Sequence, residues 1–196
     1  GLEVTRDDGA APAAIAGAAR RLEAVYEVPY LAHAPLETMN CIADVRGDRC
    51  EIWAPTQNPA GARDIAAEVL AIPKENVTVH VSLIGGGFGR RLRNDYVAEA
   101  VRISKAAGAP VQLVWTRQDE TRHGFYRPAS LHRMAAAIGE DGLPVAWSQR
   151  IVGPSGAAFQ DPRSSEPEDE AFAANHMPYG VESVRVEYVQ VQSPLP

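Results

Sequence analysis

This sequence lacks a cysteine framework, a long apolar run and an excess of basic residues. Cys41 and Cys50 are the only cysteines among 196 residues, too few for a disulfide scaffold, and no further ligand stands at zinc-binding spacing. They could face each other across a hairpin and are expected to be reduced and partly buried. No apolar run reaches the roughly 18 residues typical of a membrane span. The net charge of -6 argues against a general nucleic-acid binder, which needs a basic face.

The N-terminus lacks the order of basic, apolar and cleavage regions that marks a signal peptide. It also lacks an initiator methionine, which predicts a piece of a longer chain from which an export signal could have been removed. The compartment is therefore open, cytoplasmic or periplasmic. What is present is ordinary for a globular domain, with 45% hydrophobic and 22% charged residues.

Residues 1–24 are small and alanine-rich, so we predict an N-terminal arm or linker with little apolar surface to bury. A single domain is predicted over residues 25–196. Within it, residues 153–180 are rich in proline, glycine, serine and acids and show no periodicity, which predicts a long loop.

The pattern of apolar residues predicts the fold class. Alternation indicates a hairpin over 41–54 and strands at 76–84 and 111–117, whereas spacing of three to four indicates helices over 62–72 and 96–108. This β-β-α-β-α-β order predicts an α+β fold, a two-layer αβ structure with helices on a face of a mixed sheet.

A C-terminal hairpin is predicted over 131–153, followed by a terminal strand over 181–192. The unpaired edge of that strand, or the 153–180 loop, is expected to promote self-association. Asp119 and Glu120 are expected to be solvated charges at a strand end.

A glycine loop separates the strand at 76–84 from the following helix, and it consists of Gly85, Gly86, Gly87, Phe88 and Gly89. A backbone without Cβ atoms can approach a ligand closely, and its N–H groups favour an anion. Arg90, Arg91 and Arg93 add positive charge. The pattern is neither a P-loop nor a complete dinucleotide fingerprint. An ordinary turn with solvated arginines is the alternative interpretation.

Gln57 is a second candidate, held between two prolines in APTQNP. Its amide can donate to a ligand oxygen, although a turn or capping role is the alternative. His33 has no second histidine or cysteine at metal spacing, which favours a structural role. Glu37 is expected to pair with a nearby arginine.

Five stretches together resemble one known family. They are YLAHAPLETMNCIADV, CEIWAPTQNP, GGGFGRR, GAPVQLVWTRQDE and FYRP, in this order and spacing. The combination resembles the molybdenum-binding subunit of the xanthine dehydrogenase/aldehyde oxidoreductase family, in its isoquinoline 1-oxidoreductase beta-subunit variant. The resemblance covers residues 25–196, and because family members are much longer it implies a fragment, the first cofactor-binding domain.

The resemblance implies a molybdenum–molybdopterin cofactor, usually the cytosine dinucleotide form in bacteria, and water-derived hydroxylation of an aldehyde or N-heteroaromatic. The implied partners are a small iron–sulfur (2Fe-2S) subunit and the remainder of the large subunit. An αβ nucleotide- or phosphate-binding module and a non-catalytic interaction domain remain as alternatives.

The resemblance also implies roles for single residues. Gly85 to Gly89 match the first cofactor-binding segment, with the N–H groups near Phe88 and Gly89 facing the metal and pterin. Gln57 matches a glutamine that hydrogen-bonds an oxygen ligand of molybdenum. Arg90 adds a charge for the cofactor, and Arg127, in FYRP, matches a segment beside the active site.

Two departures from the family pattern limit the implied activity. Leu92 stands where purine-oxidising members place a substrate-anchoring glutamate, so an aldehyde or N-heteroaromatic is favoured over a purine. The family's catalytic glutamate lies far downstream and nothing here matches it. The chain alone is therefore expected to be inactive.

Overall fold

The computed structural model describes residues 1–155 and 168–193. The strands in this part are β1 (Leu2–Asp8), β2 (Arg21–Val28), β3 (Leu31–Ala32), β4 (Asn40–Arg46), β5 (Arg49–Ala54), β6 (Val77–Val81), β7 (Val111–Val114), β8 (Tyr126–Arg127), β9 (Ser130–Ile138), β10 (Pro144–Gly153) and β11 (Ser183–Gln190). The α-helices are α1 (Ala11–Gly17), α2 (Pro59–Leu70), α3 (Asp95–Ala107), α4 (Arg117–His123) and α5 (Glu168–Asn175). In the described ranges no helix combines the length and apolarity needed to cross a membrane.

The chain forms two compact units. The terminal unit consists of Gly1–Leu31 and Arg127–Pro196, and the central unit is Ala32–Tyr126. The domain predicted over residues 25–196 is therefore divided in the structure, and the break expected near residue 24 falls inside β2.

The central unit is a mixed four-stranded sheet packed against α2 and α3. Its strand order is β6-β5-β4-β7, with β5 parallel to β6 and β4 antiparallel to both of its neighbours. Alternate residues of β5, among them Ile52 and Ala54, are buried in one core with Tyr96, Val97 and Val101 of α3. This architecture confirms the predicted α+β class.

The two cysteines are buried free thiols, but they do not face each other. In the β4–β5 register Cys50 lies opposite Val45, which places Cys41 further along β4. A hairpin pairs residues at equal distances from its turn, and these two cysteines are at unequal distances from it.

The terminal unit is a five-stranded sheet in the order β1-β11-β10-β9-β2. β10 and β11 are parallel, whereas the other neighbours are antiparallel. Ala11 and Ile15 of α1 pack with Ala137 and Ala146 of the sheet.

Residues 1–24, predicted as an arm or linker, are part of this sheet and its helix. Residues 1–24 form β1, α1 and the first half of β2. The predicted terminal strand is β11, and it lies between β1 and β10, so among the described residues the open edges of this sheet belong to β1 and β2. β1 contains few apolar residues, and its partner β11 comes from the other end of the chain. Local patterns therefore could not reveal the pairing.

The loop expected over residues 153–180 contains helix α5. Residues 156–167 of that stretch lie outside the described residues. Ala171 of α5 packs with Val184 and Val186 of β11, which gives this part of the stretch a place in the core.

Asp119 and Glu120, which were expected to be solvated charges at a strand end, lie in helix α4. Thr116 and Asp119 form a capping box, in which the Thr116 hydroxyl accepts from the Asp119 N–H at 3.2 Å and the Asp119 carboxylate accepts from the Thr116 N–H at 3.0 Å. The Thr116 hydroxyl lowers the pKa of Asp119. Glu120 is buried and accepts from the Met39 N–H at 3.4 Å. The Thr-x-x-Asp spacing was the sequence signal for this helix start.

Candidate functional site

Three segments of the central unit meet at the candidate site. They are residues 35–37, residues 55–58 and residues 85–91, and the last of these includes the glycine loop. The Glu37 N–H donates to the Gly85 carbonyl at 3.1 Å, and the Gln57 N–H donates to the Arg91 carbonyl at 3.0 Å. The loop is thus hydrogen-bonded at both of its ends to neighbouring segments.

Gln57 lies directly before α2, in a turn built by its neighbours. Asn58 is the helix N-cap, and its side-chain oxygen accepts from the Gly61 N–H at 2.9 Å. The buried Thr56 hydroxyl donates to the Arg91 carbonyl at 3.2 Å. Gln57 itself is exposed, so the turn directs its side chain to the surface.

The loop backbone adopts conformations that favour glycine. The φ angle is 93° at Gly86 and 95° at Gly89. Phe88 between them has a φ of 55°, and this left-handed conformation costs a non-glycine residue about 1–2 kcal/mol. The Phe88 side chain is 66% exposed, so core packing does not explain the strain. Strain of this kind is often found in ligand-binding loops.

Two of the glycines make room for side chains of the protein itself. A Cβ atom added at Gly87 would lie 2.6 Å from Oε1 of Gln57, and one added at Gly85 would lie 2.6 Å from Cβ of Glu37. The sequence interpretation assigned all of this space to a ligand. In the structure, part of it holds Gln57 and Glu37 against the loop.

The loop and Gln57 offer hydrogen-bond donors. Oε1 of Gln57 accepts from the Gly89 N–H at 3.2 Å, which leaves the amide nitrogen as the end that can meet a ligand. Within the described part of the chain, neither that nitrogen nor the N–H groups of Gly86 and Gly87 make a hydrogen bond. Such a set of donors fits a ligand with anionic oxygen acceptors, as a molybdopterin has.

Arg90 and Arg91 differ from the expected anion partners, because both side chains are 0% exposed. The Arg90 guanidinium donates two hydrogen bonds to Asp95, at 2.8 and 2.7 Å, and lies 5.4 and 5.0 Å from the ring centres of Trp115 and Phe125. Its charge is thus used inside the unit, at the start of α3. An arginine beside a glycine loop looks the same in sequence whether it is solvated or buried.

The expected pairing of Glu37 with an arginine is confirmed. Oε2 of Glu37 lies 3.0 Å from Nη2 of Arg91.

Nδ1 of His33 lies 2.9 Å from the carbonyl oxygen of Phe125. Residues 1–155 and 168–193 contain no group of three side chains able to hold a metal ion.

The structure brings Gln57 and the glycine loop together within one unit. Arg127, the remaining predicted site residue, ends strand β8 and belongs to the terminal unit. Its position beside the active site stays a prediction. Sequence reasoning placed Arg91 beside the loop only as a source of positive charge, and it did not identify this arginine as the partner of Glu37.

Comparison with known proteins places this site in context. The family model described as molybdopterin cofactor-binding domain matches residues 2–196. The chain is 35% identical over 106 residues to the beta chain of isoquinoline 1-oxidoreductase from Brevundimonas diminuta, which covers 54% of this chain and 14% of the relative. It is 30% identical over 152 residues to a subunit of nicotinate dehydrogenase from Pseudomonas putida, covering 78% of this chain and 13% of that protein.

A solved structure shares the fold. Quinoline 2-oxidoreductase from Pseudomonas putida 86 matches 97% of this chain with a TM-score of 0.75, at 24% identity, and the match covers 25% of the solved chain. The chain therefore spans a small part of the length of the proteins it is similar to.

Proposed function

The chain belongs to the molybdopterin cofactor-binding domain family, and we propose that it is the part of a molybdenum hydroxylase subunit whose glycine loop and Gln57 bind the cofactor. The observation that carries the proposal is a set of donors that have no hydrogen-bond partner among the described residues: the exposed Gln57 amide nitrogen, the N–H of the half-buried Gly86 and the N–H of the buried Gly87. Backbone and amide donors are held in place before a ligand arrives, so they stabilise anionic oxygens without reorganisation.

When bound, the molybdenum cofactor supplies a two-electron oxidation with oxygen taken from water. The residues of this chain bind and orient it. Gln57 donates from its amide nitrogen, because its oxygen is held by Gly89. We propose the cytosine dinucleotide form for the pterin and a role for Arg127 in binding it.

We propose that the substrate is an aldehyde or an N-heteroaromatic. The position that would carry an anchoring glutamate in purine-oxidising relatives is Leu92, and this side chain is 52% exposed. An exposed apolar side chain offers no hydrogen bond to a purine edge. The isoquinoline and nicotinate enzymes named above act on nitrogen heterocycles according to their names, which agrees with this substrate class.

The partners we propose are an iron–sulfur (2Fe-2S) small subunit and the remainder of the large subunit. We also propose that a second copy pairs with this chain at the open edge of β2. Leu22 and Tyr26 of β2 are each 57% exposed. Antiparallel pairing of two copies centred on Ala24 sets Leu22 opposite Tyr26, and it sets Arg21 opposite Glu27 of the second copy, which joins opposite charges.

Burial of Arg90 and Arg91 disfavours the alternative of a general phosphate-binding module, since that site needs their charges on the surface. The interaction-domain alternative predicts that the longer protein carries no molybdenum.

The deciding experiment uses the longer subunit that contains this chain, produced together with cofactor assembly. Its bound molybdenum is measured by mass spectrometry, and aldehyde and N-heteroaromatic oxidation are assayed. We expect stoichiometric molybdenum, reduced in Gln57→Ala, and we expect the 196-residue chain by itself to show no turnover. A metal-free longer subunit would refute the proposed function.

A further inference from the structure

Arg91 joins all three segments of the site through its guanidinium group, which is fully buried. Its Nε donates to the Gly86 carbonyl at 2.7 Å, its Nη1 to the Pro55 carbonyl at 3.2 Å, and its Nη2 to the Glu37 carbonyl at 2.7 Å. These acceptors come from the glycine loop, from the turn before Gln57 and from residues 35–37. No other residue type offers donors in a planar fork that reaches three separate carbonyl groups.

Glu37 completes this arrangement through its carboxylate. Its Oε2 accepts from Nη2 of Arg91 at 3.0 Å and from the Gly85 N–H at 2.8 Å, and its Oε1 accepts from Asn40 at 3.0 Å. The carboxylate is therefore committed to the protein and does not point its charge at a ligand. It also neutralises the buried guanidinium, which would otherwise be costly to hold away from water.

The backbone of Arg91 extends the same connection to Gln57. Its carbonyl accepts from the Gln57 N–H at 3.0 Å, and the Gln57 side chain in turn accepts from the Gly89 N–H. Movement of Arg91 would thus displace both the turn that carries Gln57 and the loop that carries the backbone donors.

We infer that Glu37 and Arg91 form a positioning pair, which holds Gln57 and the N–H groups of Gly86 and Gly87 in the arrangement that receives the ligand. The inference rests on the proposed function for the identity of that ligand. Neither residue contacts the ligand in this account. Both act through the segments that they hold together.

The first test needs no ligand. Amide hydrogen exchange of the 196-residue chain is measured by NMR for Gly85, Gly89 and Gln57, whose N–H groups are hydrogen-bonded within the site. In Arg91→Lys and in Glu37→Ala we expect exchange at these three amides to accelerate by roughly tenfold or more, as local opening becomes easier. Glu37→Gln keeps an acceptor oxygen and should restore part of the protection.

Two controls separate positioning from general stability. Amides of Val97 and Val101, in the core of α3, report opening of the whole unit and should change little. Arg46→Gln removes an exposed ion pair with Asp44 in the same unit and should leave the loop amides unchanged. Equal acceleration at the core and loop amides would overturn the inference, because it would show a merely structural pair. Unchanged loop exchange in both Arg91→Lys and Glu37→Ala would overturn it as well.

The second test uses molybdopterin cytosine dinucleotide as the probe, in the longer subunit. If the wild type binds it, Glu37→Ala should retain less than Glu37→Gln, and Arg46→Gln should match the wild type. Equal retention in all variants would overturn the inference while leaving the proposed function intact. If the wild type does not bind the probe but loop exchange is faster in the variants, the proposed function is refuted. The inference that Glu37 and Arg91 hold this loop in place then still stands.

Discussion

Oε1 of Gln57 lies 3.2 Å from the backbone nitrogen of Gly89 and accepts its hydrogen. Because a backbone N–H can only donate, this contact fixes which end of the Gln57 amide faces the loop. The amide nitrogen remains as a donor. A residue that precedes a helix and a residue that ends a glycine loop are thus joined, and the Gly89 N–H that makes this contact is not among the donors left for a ligand.

Substitution of Gly87 tests the close approach between the loop and Gln57. In Gly87→Ala the new Cβ would lie 2.6 Å from Oε1 of Gln57, so either the loop or Gln57 has to move. We expect a loss of about 1–3 kcal/mol in the free energy of unfolding and a loss of bound molybdenum in the longer subunit. Denaturant unfolding and metal analysis measure the two effects.

Gly180→Ala is the matched control, because a Cβ there meets no atom within 4 Å. It should leave both quantities near the wild-type values. Wild-type metal content in Gly87→Ala would contradict the role given to this contact.

Substitution of Gln57 separates its donor from its bulk. Gln57 is exposed, so Gln57→Ala should change the free energy of unfolding by about 1 kcal/mol or less. Gln57→Glu has the same size, but a carboxylate replaces the donor and would repel an anionic ligand. We expect molybdenum content to fall in the order wild type, Gln57→Ala, Gln57→Glu. A higher content in Gln57→Glu than in Gln57→Ala would show that the ligand does not accept a hydrogen bond from this residue.

The two thiols should be inert in the folded chain. Burial raises the pKa of Cys41 to about 12 and that of Cys50 to about 11, from an ordinary value of 9.0. Because the thiolate is the reactive form, a thiol reagent near pH 8 should label the chain slowly until denaturant is added. Rapid labelling of both cysteines in the folded chain would contradict this burial.

The same shifts set the sign of a pH effect. The folded state keeps both thiols protonated where the unfolded state loses its protons, so their contribution to stability is complete below pH 9.0. It declines as the pH rises from there through about 11 and about 12. Cys50→Ala should reduce the loss of unfolding free energy over this range, and an unchanged pH profile would contradict the assignment.

Self-association through β2 can be tested by charge reversal. Pairing centred on Ala24 sets Arg21 opposite Glu27 of the second copy, so Arg21→Glu and Glu27→Arg should each raise the dimer dissociation constant by roughly three- to tenfold. The double variant restores opposite charges and should recover the wild-type constant. Analytical ultracentrifugation measures all four proteins.

Leu143→Lys serves as the control, because Leu143 is 63% exposed and lies outside β2, in the turn between β9 and β10. A monomeric wild type, or a double variant no stronger than the single ones, would refute pairing in this register.

The sequence by itself determined the core of the central unit. Alternation in β4, β5 and β6 and helical spacing in α3 are set by neighbouring residues, so the order of elements was predictable. The sequence also identified the glycine loop and Gln57, and it predicted that Glu37 pairs with an arginine. Each of these depends on residue chemistry within a short stretch.

Only the tertiary structure decided how that chemistry is used. Arg90 and Arg91 are buried and paired with Asp95 and Glu37 in the folded chain. Glu37 is 54 residues away from Arg91 in the sequence, so no local charge pattern reveals that pair. Residues 2–8 form strand β1 by pairing with β11, which lies near the other end of the sequence. Burial and long-range strand pairing depend on contacts between distant parts of the chain, and these contacts form only when the whole chain folds.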